Sequence, residues 1–537
     1  MLIGLVRHER HANQRRRLGE LFSGDWKAAT KMELSDAKVR ERASAFLFGK
    51  TGTIAVVCLM LLWLYIPSLT FHFWLDDFGL LESGRIESVS DFFKSFHPVR
   101  SGLGPGEILP YYRPLTQKIY YWVMRLTFGL NPFYYRFADL CLLGLIAFNI
   151  SLITGCLSND KLAGFLSAIL FALGTSHAIT QMWMALTEDL IVVVFMTAAF
   201  FAYLQSARNG RKWCFAASVI LFVLGLLSME YAIVLPGLIF VAEVLYALPG
   251  NKNEVKRLAA RLTPFVLIVF AYVGMRLVYM NVPEVGPYEV SVGLFTLTNL
   301  GRYLLIGLDS YLIGFLGVPS MDTLVSQHVH YEVNWALAGV KLLIVAAPVA
   351  WMVSKQRAQV KRDVVFSFAW FVLALMPVLF LPNHFYRYYL LPANLGLVFF
   401  VATILAVGAR AIAAHTRAGA FILCIVLIFS MLAYSTKMVR KEQSALRLIS
   451  LSMESIDRQL LQQISNPPDG SGFVFSGNFS FGWWRNLSPA IRTLYDNPTL
   501  NATLRDGDKI PEKVLMSPGP LYLVHIEDGV VTTTRAR

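Results

Sequence analysis

Apolar runs of about twenty residues, the length a helix needs to cross hydrocarbon, recur along most of this chain of 537 residues. In lipid every backbone polar group must find its partner within the protein, which leaves a closed barrel or a set of helices. Runs of this length are those of spanning helices. The composition agrees: 55% of residues are hydrophobic and 15% charged, against about a quarter charged in a soluble domain. The expected fold is an all-α polytopic membrane bundle.

Eleven runs are read as spans, at 52–70, 137–157, 162–178, 187–205, 213–229, 231–248, 263–280, 334–353, 364–381, 390–408 and 418–435, within a range of 10–13. The run at 303–318 is short and carries Asp309 and several glycines. Treating it as a re-entrant or surface-lying helix puts the basic loop 354–363 on the same side as the N-terminus and the loops at 206–212 and 251–261, as the positive-inside rule requires. The N-terminus is then cytoplasmic and the C-terminus external or periplasmic, in a plasma (inner) membrane. Residues 1–50 form a basic cytoplasmic tail lying on anionic lipid, 51–435 the membrane bundle, and 436–537 a small external domain. Helical periodicity at 437–464 gives way, after NPPDGSG, to strand-like runs at 472–479 and 519–534, which predicts an α/β unit. The first external loop, 71–136, mixes aromatic and basic residues as interfacial helices do.

The net charge of +13 does not indicate nucleic acid, because the lysines and arginines fall in short runs between apolar segments. Cys58, Cys141, Cys156, Cys214 and Cys424 lie in or beside apolar runs, with no paired spacing and no companion histidine. They read as small core residues rather than disulfides or metal ligands.

This topology, chosen from the basic loops alone, gathers Asp76, Asp77, Tyr112, Arg113, His177, Glu188, Asp189, Glu230, Arg387 and Tyr388 at the external face. A carboxylate within reach of a hydroxyl can serve as general base. The guanidinium fork suits a phosphate and stabilises charge developing on it as it leaves. Glycosyl transfer from a lipid phosphate needs both, and transport of an anionic lipid would use the same residues. Each also has a plainer reading: the aspartates as a helix end at the water boundary, Arg113 and Arg387 as interfacial anchors, His177 as a satisfied core histidine.

Four stretches, WLDDF at 74–78, YYRPLT at 111–116 followed by GLNPFYYRFADLCL, GLLSMEYAIVLPGL at 225–238 and RYYLLPA at 387–393, occur in an order that resembles the GT-C type membrane glycosyltransferases using polyprenyl-phosphate sugars. The likeness is to the membrane half of the transmembrane and tetratricopeptide-repeat-containing O-mannosyltransferases, and covers roughly 52–400. It implies that Asp76 or Asp77 is the base on the acceptor, with Asp77, farther from the first span, preferred. Arg113 and Arg387, with Tyr112 and Tyr388 beside them, would hold the donor phosphate, and His177, Glu188 and Glu230 would bind substrate. The implied partners are a polyprenyl-phosphate-linked sugar such as one on undecaprenyl phosphate, the lipid bilayer, and a protein, glycan or lipid acceptor. No cofactor is expected, a divalent metal included. Met229 stands where the family has lysine, Tyr386 where it often has glutamate, and the naming repeats are absent, which leaves sugar and acceptor open. A flippase and a polymerase or ligase of lipid-linked glycans are the alternatives.

Overall fold

A computed structural model of the chain describes residues 49–98, 112–247, 252–279, 289–317, 334–478, 487–505, 514 and 517–537. The N-terminal tail up to residue 48 and the GLGPGE stretch lie outside the described residues. The chain divides into two compact units, Met1–Val56 and Val57–Arg537. Of the first, only the opening turns of helix α1 are described.

Helix α1 (Lys50–Tyr65) runs into a 3₁₀ turn at Ile66–Ser68 containing Pro67, which has no amide to continue the ladder. Short helices α2 (Asp77–Ser83) and α3 (Val89–Lys94) follow, then a π-turn at Leu115–Ile119 that leads into α4 (Tyr120–Phe128). Helix α5 (Pro132–Ser158) opens on an N-cap, the Asn131 side chain accepting from the Phe133 amide at 3.1 Å, with proline at the first position. Helices α6 (Lys161–Leu173), α7 (Ile179–Met182), α8 (Thr187–Asn209) and α9 (Lys212–Ser228) come next. The chain then breaks. Met229 is extended, Glu230–Val234 is a 3₁₀ turn, and α10 (Leu235–Tyr246) begins over Pro236. Helices α11 (Lys252–Tyr279), α12 (Leu294–Tyr311), α13 (Trp335–Ser354), α14 (Ala358–Leu379), α15 (Leu390–Ala413) and α16 (Arg417–Gln463) complete the helical part.

Among the described residues eight helices are long and apolar enough to cross a membrane, in a chain that is an integral membrane protein by composition and fold. The runs expected to span at 162–178, 213–229 and 231–248 form shorter helices of 13, 17 and 12 residues. Turns at 174–178 and 229–234 take the remaining length. The stretch 303–311 is the second half of α12, buried against the turn after α6, where the Thr175 amide donates to Ser310 Oγ at 2.8 Å. Helix α12 is not among the eight.

Helix α15 sits at the centre, 78% of its apolar window buried, whereas α13 is only 6% buried and presents Leu343, Ile344 and Trp351 outward. Such contiguous outward apolar surface is what lipid covers. Helices α14 and α15 approach closely at Gly396, where a side-chain carbon would lie 2.8 Å from the Phe371 amide.

Helix α16 is a single 47-residue rod. Its first half is the run expected to span and its second half the helical stretch expected to open the external domain, with no break at 435/436. Beyond it lie β1 (Gly472–Asn478), α17 (Leu487–Leu494), β2 (Asn501–Leu504), β3 (Leu521–Glu527) and β4 (Val530–Arg535). The sheet order is β2-β1-β3-β4, with β1 parallel to both neighbours and β4 antiparallel to β3. The molecule is thus a polytopic helical bundle with a small C-terminal α/β unit.

Candidate functional site

The two adjacent aspartates have opposite surroundings. Leu75, just before them, has φ of 51°, a left-handed value that costs a leucine on the order of 1–3 kcal/mol and persists only where neighbours enforce it. From there Asp76 stands at the residue before α2, its side chain making no capping bond, and lines a cavity of about 310 Å³. Asp77, in the first turn of α2, is wholly buried: Oδ2 accepts from the Trp74 amide at 3.1 Å, Oδ1 accepts from the Ala185 amide at 2.9 Å, and Arg136 Nη2 donates to Oδ2 at 3.4 Å. Burial pushes the Asp77 carboxyl up to about 6, and Arg136 with the two amides offsets only part of that. Asp77 therefore ties the loop before α2 to the turn before α8.

On the opposite wall Arg113 gathers two of the expected residues. Its Nε and Nη2 donate to Glu230 at 2.9 and 2.5 Å, a bidentate pair, and Nη1 donates to Glu188. Gln117 donates to the second Glu188 oxygen at 3.2 Å, and Arg276 stands 3.9 Å from Glu230. The break between α9 and α10 brings Glu230 there: had the helix continued, its side chain would follow the helical stripe instead of the turn. Non-helical backbone at such depth is tolerated where it lines a cavity. Glu188 comes from the first turn of α8, where a carboxylate also meets the positive end of the helix.

Trp183, Tyr231, Tyr388 and Tyr389 form the aromatic part of the lining. Trp183 and Tyr388 meet edge-on, ring centres 6.4 Å apart. Asp189 also lines the cavity and is buried, its Oδ1 without a hydrogen-bond partner among the described residues.

Besides Asp77, three expected residues lie outside this cavity. Arg387 is buried and donates to Glu442 at 2.5 Å, beside a separate small pocket lined by Thr175, Ser176, Ser310 and Tyr434. His177 is buried in the turn after α6, stacked on Phe171 at 4.5 Å between ring centres and 3.5 Å from the Asn394 amide nitrogen. The Tyr112 hydroxyl donates to the Phe96 carbonyl at 2.7 Å. The structure thus brings Asp76, Arg113, Glu188, Glu230 and Tyr388 to one cavity and sets Asp77, Tyr112, His177 and Arg387 around it.

Gln117, Trp183 and Tyr231 were not read from the sequence as site residues. Gln117 lies four residues after Arg113, one helical turn on, which was the available signal. Trp183 and Tyr231 carried none. Among the described residues no three His, Cys, Asp or Glu side chains converge as metal ligands do.

This helical bundle, with short helices after its first apolar helix, a broken helix at the site and a C-terminal mixed α/β unit, has the GT-C fold. The solved structures it is similar to include the oligosaccharyltransferase AglB from Archaeoglobus fulgidus in complex with an inhibitory peptide and a dolichol-phosphate, at TM-score 0.50 and 13% identity over 89% of this chain and 69% of that one. The apo form of the A. fulgidus oligosaccharyltransferase gives 0.49 at 12% identity over 89% and 69%. ArnT from Cupriavidus metallidurans bound to undecaprenyl phosphate gives 0.48 at 13% identity over 88% and 93%. No family model matches the sequence, and no curated protein sequence does.

Proposed function

We propose that this chain is an inverting glycosyltransferase, moving a sugar from a polyprenyl-phosphate donor to an acceptor hydroxyl at the external face of the membrane. The observation that carries the reading is the cavity: the exposed carboxylate Asp76 lines it together with the Arg113–Glu188–Glu230 network and Asp189, in a fold shared with a protein solved with dolichol-phosphate and a peptide. Asp76 is assigned as the base in preference to Asp77, whose oxygens are committed to two amides and Arg136.

In this mechanism Asp76 takes the proton of the acceptor hydroxyl as the oxygen attacks the anomeric carbon. The bond from that carbon to the phosphate oxygen breaks on the opposite face, and the polyprenyl phosphate leaves with the electron pair. Arg113 holds its two carboxylates apart from the base, while Arg276 stands near enough to share Glu230. The aromatic lining offers ring faces on which a sugar can stack.

The test is transfer from radiolabelled polyprenyl-phosphate sugars by purified protein. Asp76→Asn is expected to lower kcat by about 10²–10⁴-fold, the usual contribution of a general base, with release of free lipid phosphate falling in parallel. Wild-type transfer rates in Asp76→Asn would remove the assignment of the base. A product with the anomeric configuration of the donor would exclude direct displacement.

A further inference from the structure

The loop that carries the two aspartates is held from outside the bundle. Its His72 backbone amide donates to Ser450 Oγ at 2.8 Å, and its ring Nε2 lies 2.6 Å from Asp457 Oδ2, both partners being on the second half of α16. The His72 carbonyl in turn accepts from Arg136 Nη2 at 3.3 Å, the same nitrogen that donates to Asp77. One continuous set of contacts therefore runs from Asp457 through His72 and Arg136 to Asp77, and from Asp77 to the amides of Trp74, in the loop before Asp76, and of Ala185, which lines the cavity.

Two further contacts repeat the arrangement. Gln443 donates to the Leu64 carbonyl at 3.0 Å, fixing the chain where it leaves α1. At the other end of α2, Arg85 reaches Asp496 beside α17 at 2.9 Å, with Arg125 on the same carboxylate. Asp496 is exposed, so its pair is screened and weak. Asp457 is 9% exposed and His72 21%, so theirs is less screened. The second reason to single out this pair is the strain at Leu75: a strained segment needs fixed neighbours on both sides.

We infer that Asp457 is a positioning residue for the candidate base. Through His72 it holds the strained loop so that Asp76 faces the cavity, which makes the extramembrane half of α16 part of the catalytic unit rather than a tether for the terminal domain. This rests on the reading of Asp76 as base, but its structural half can be measured without turnover.

The experiment compares full-length wild type, Asp457→Asn, Ser450→Ala and the exposed-face control Glu454→Gln in detergent. Backbone amide exchange of peptides covering residues 72–77 is followed alongside kcat and KM for the lipid-linked donor. Asp457→Asn is expected to raise exchange there by on the order of tenfold. It should also lower kcat by on the order of ten- to a hundredfold with KM unchanged, as small misplacements of a reacting group do. Ser450→Ala should move exchange in the same direction, and Glu454→Gln should move neither quantity. Unchanged exchange in an Asp457→Asn protein of wild-type Tm would overturn the inference, as would raised exchange with wild-type kcat. Raised exchange together with a wild-type protein that consumes no lipid-linked donor would support the positioning contacts while removing the glycosyltransferase reading.

Discussion

Adjacent aspartates are chemically identical in sequence, but at the start of α2 they face different environments, Asp76 exposed and lining the cavity, Asp77 buried. Asp77 gives the clearest expectation at this scale. Its carboxyl lies at about 6, so above that pH it is ionised and accepts from Trp74, Ala185 and Arg136. As pH falls through about 6 it takes a proton and Arg136 loses its counter-charge. Transfer is expected to drop over that window in a pH profile of kcat. In Asp77→Asn activity should be low at all pH values and the drop absent. An unchanged inflection in Asp77→Asn would mean another group titrates there. Arg113 gives a second expectation, since lysine keeps its charge but not its fork. Tm and kcat should fall from wild type to Arg113→Lys and further to Arg113→Met, where the partly buried Glu188 and Glu230 lose the cation they share. Wild-type values in Arg113→Lys would show that the bidentate geometry contributes nothing.

Among the elements, the interruptions matter more than the spans. A regular helix from Lys212 to Tyr246 would satisfy its backbone but give the cavity no Glu230. The extended Met229 and the 3₁₀ turn after it remove that regularity where Arg113 can answer it. The opposite demand operates between α14 and α15, where regular helices pack so closely at Gly396 that no side chain fits. Gly396→Val is expected to cost about 1–3 kcal/mol, the usual penalty of overpacking, read as a lower Tm in detergent. The lipid-facing Gly339, with open space at its side-chain position, should accept alanine with no such loss. A Gly396→Val protein with wild-type Tm would show that the two helices can separate there without penalty.

Across the whole molecule, the eight long apolar helices and the basic loops set the orientation question. Cysteines introduced one at a time between Lys355 and Arg362, in an otherwise cysteine-free chain, are expected to react with impermeant reagents only from the cytoplasmic side, and one at Thr532 in β4 only from the external side. External labelling of the 355–362 loop would add a span before it and turn over the expected topology.

The sequence by itself determined a helical membrane bundle, the strand runs of the terminal unit and most helix positions, because apolar length and period are local quantities that lipid and core both enforce. Its basic loops also gave the expectation that the polar residues gather at one face. Which of those residues share a cavity was decided by tertiary structure alone. Arg387 and His177, expected from sequence beside Asp76, are held in the protein interior by Glu442 and by Phe171 with Asn394. Asp457, 385 residues from His72 along the chain, reads in sequence as one more polar position on an amphipathic helix. Pairings at that distance are set by how helices pack and where they break, and neither is written in the period of the helices themselves.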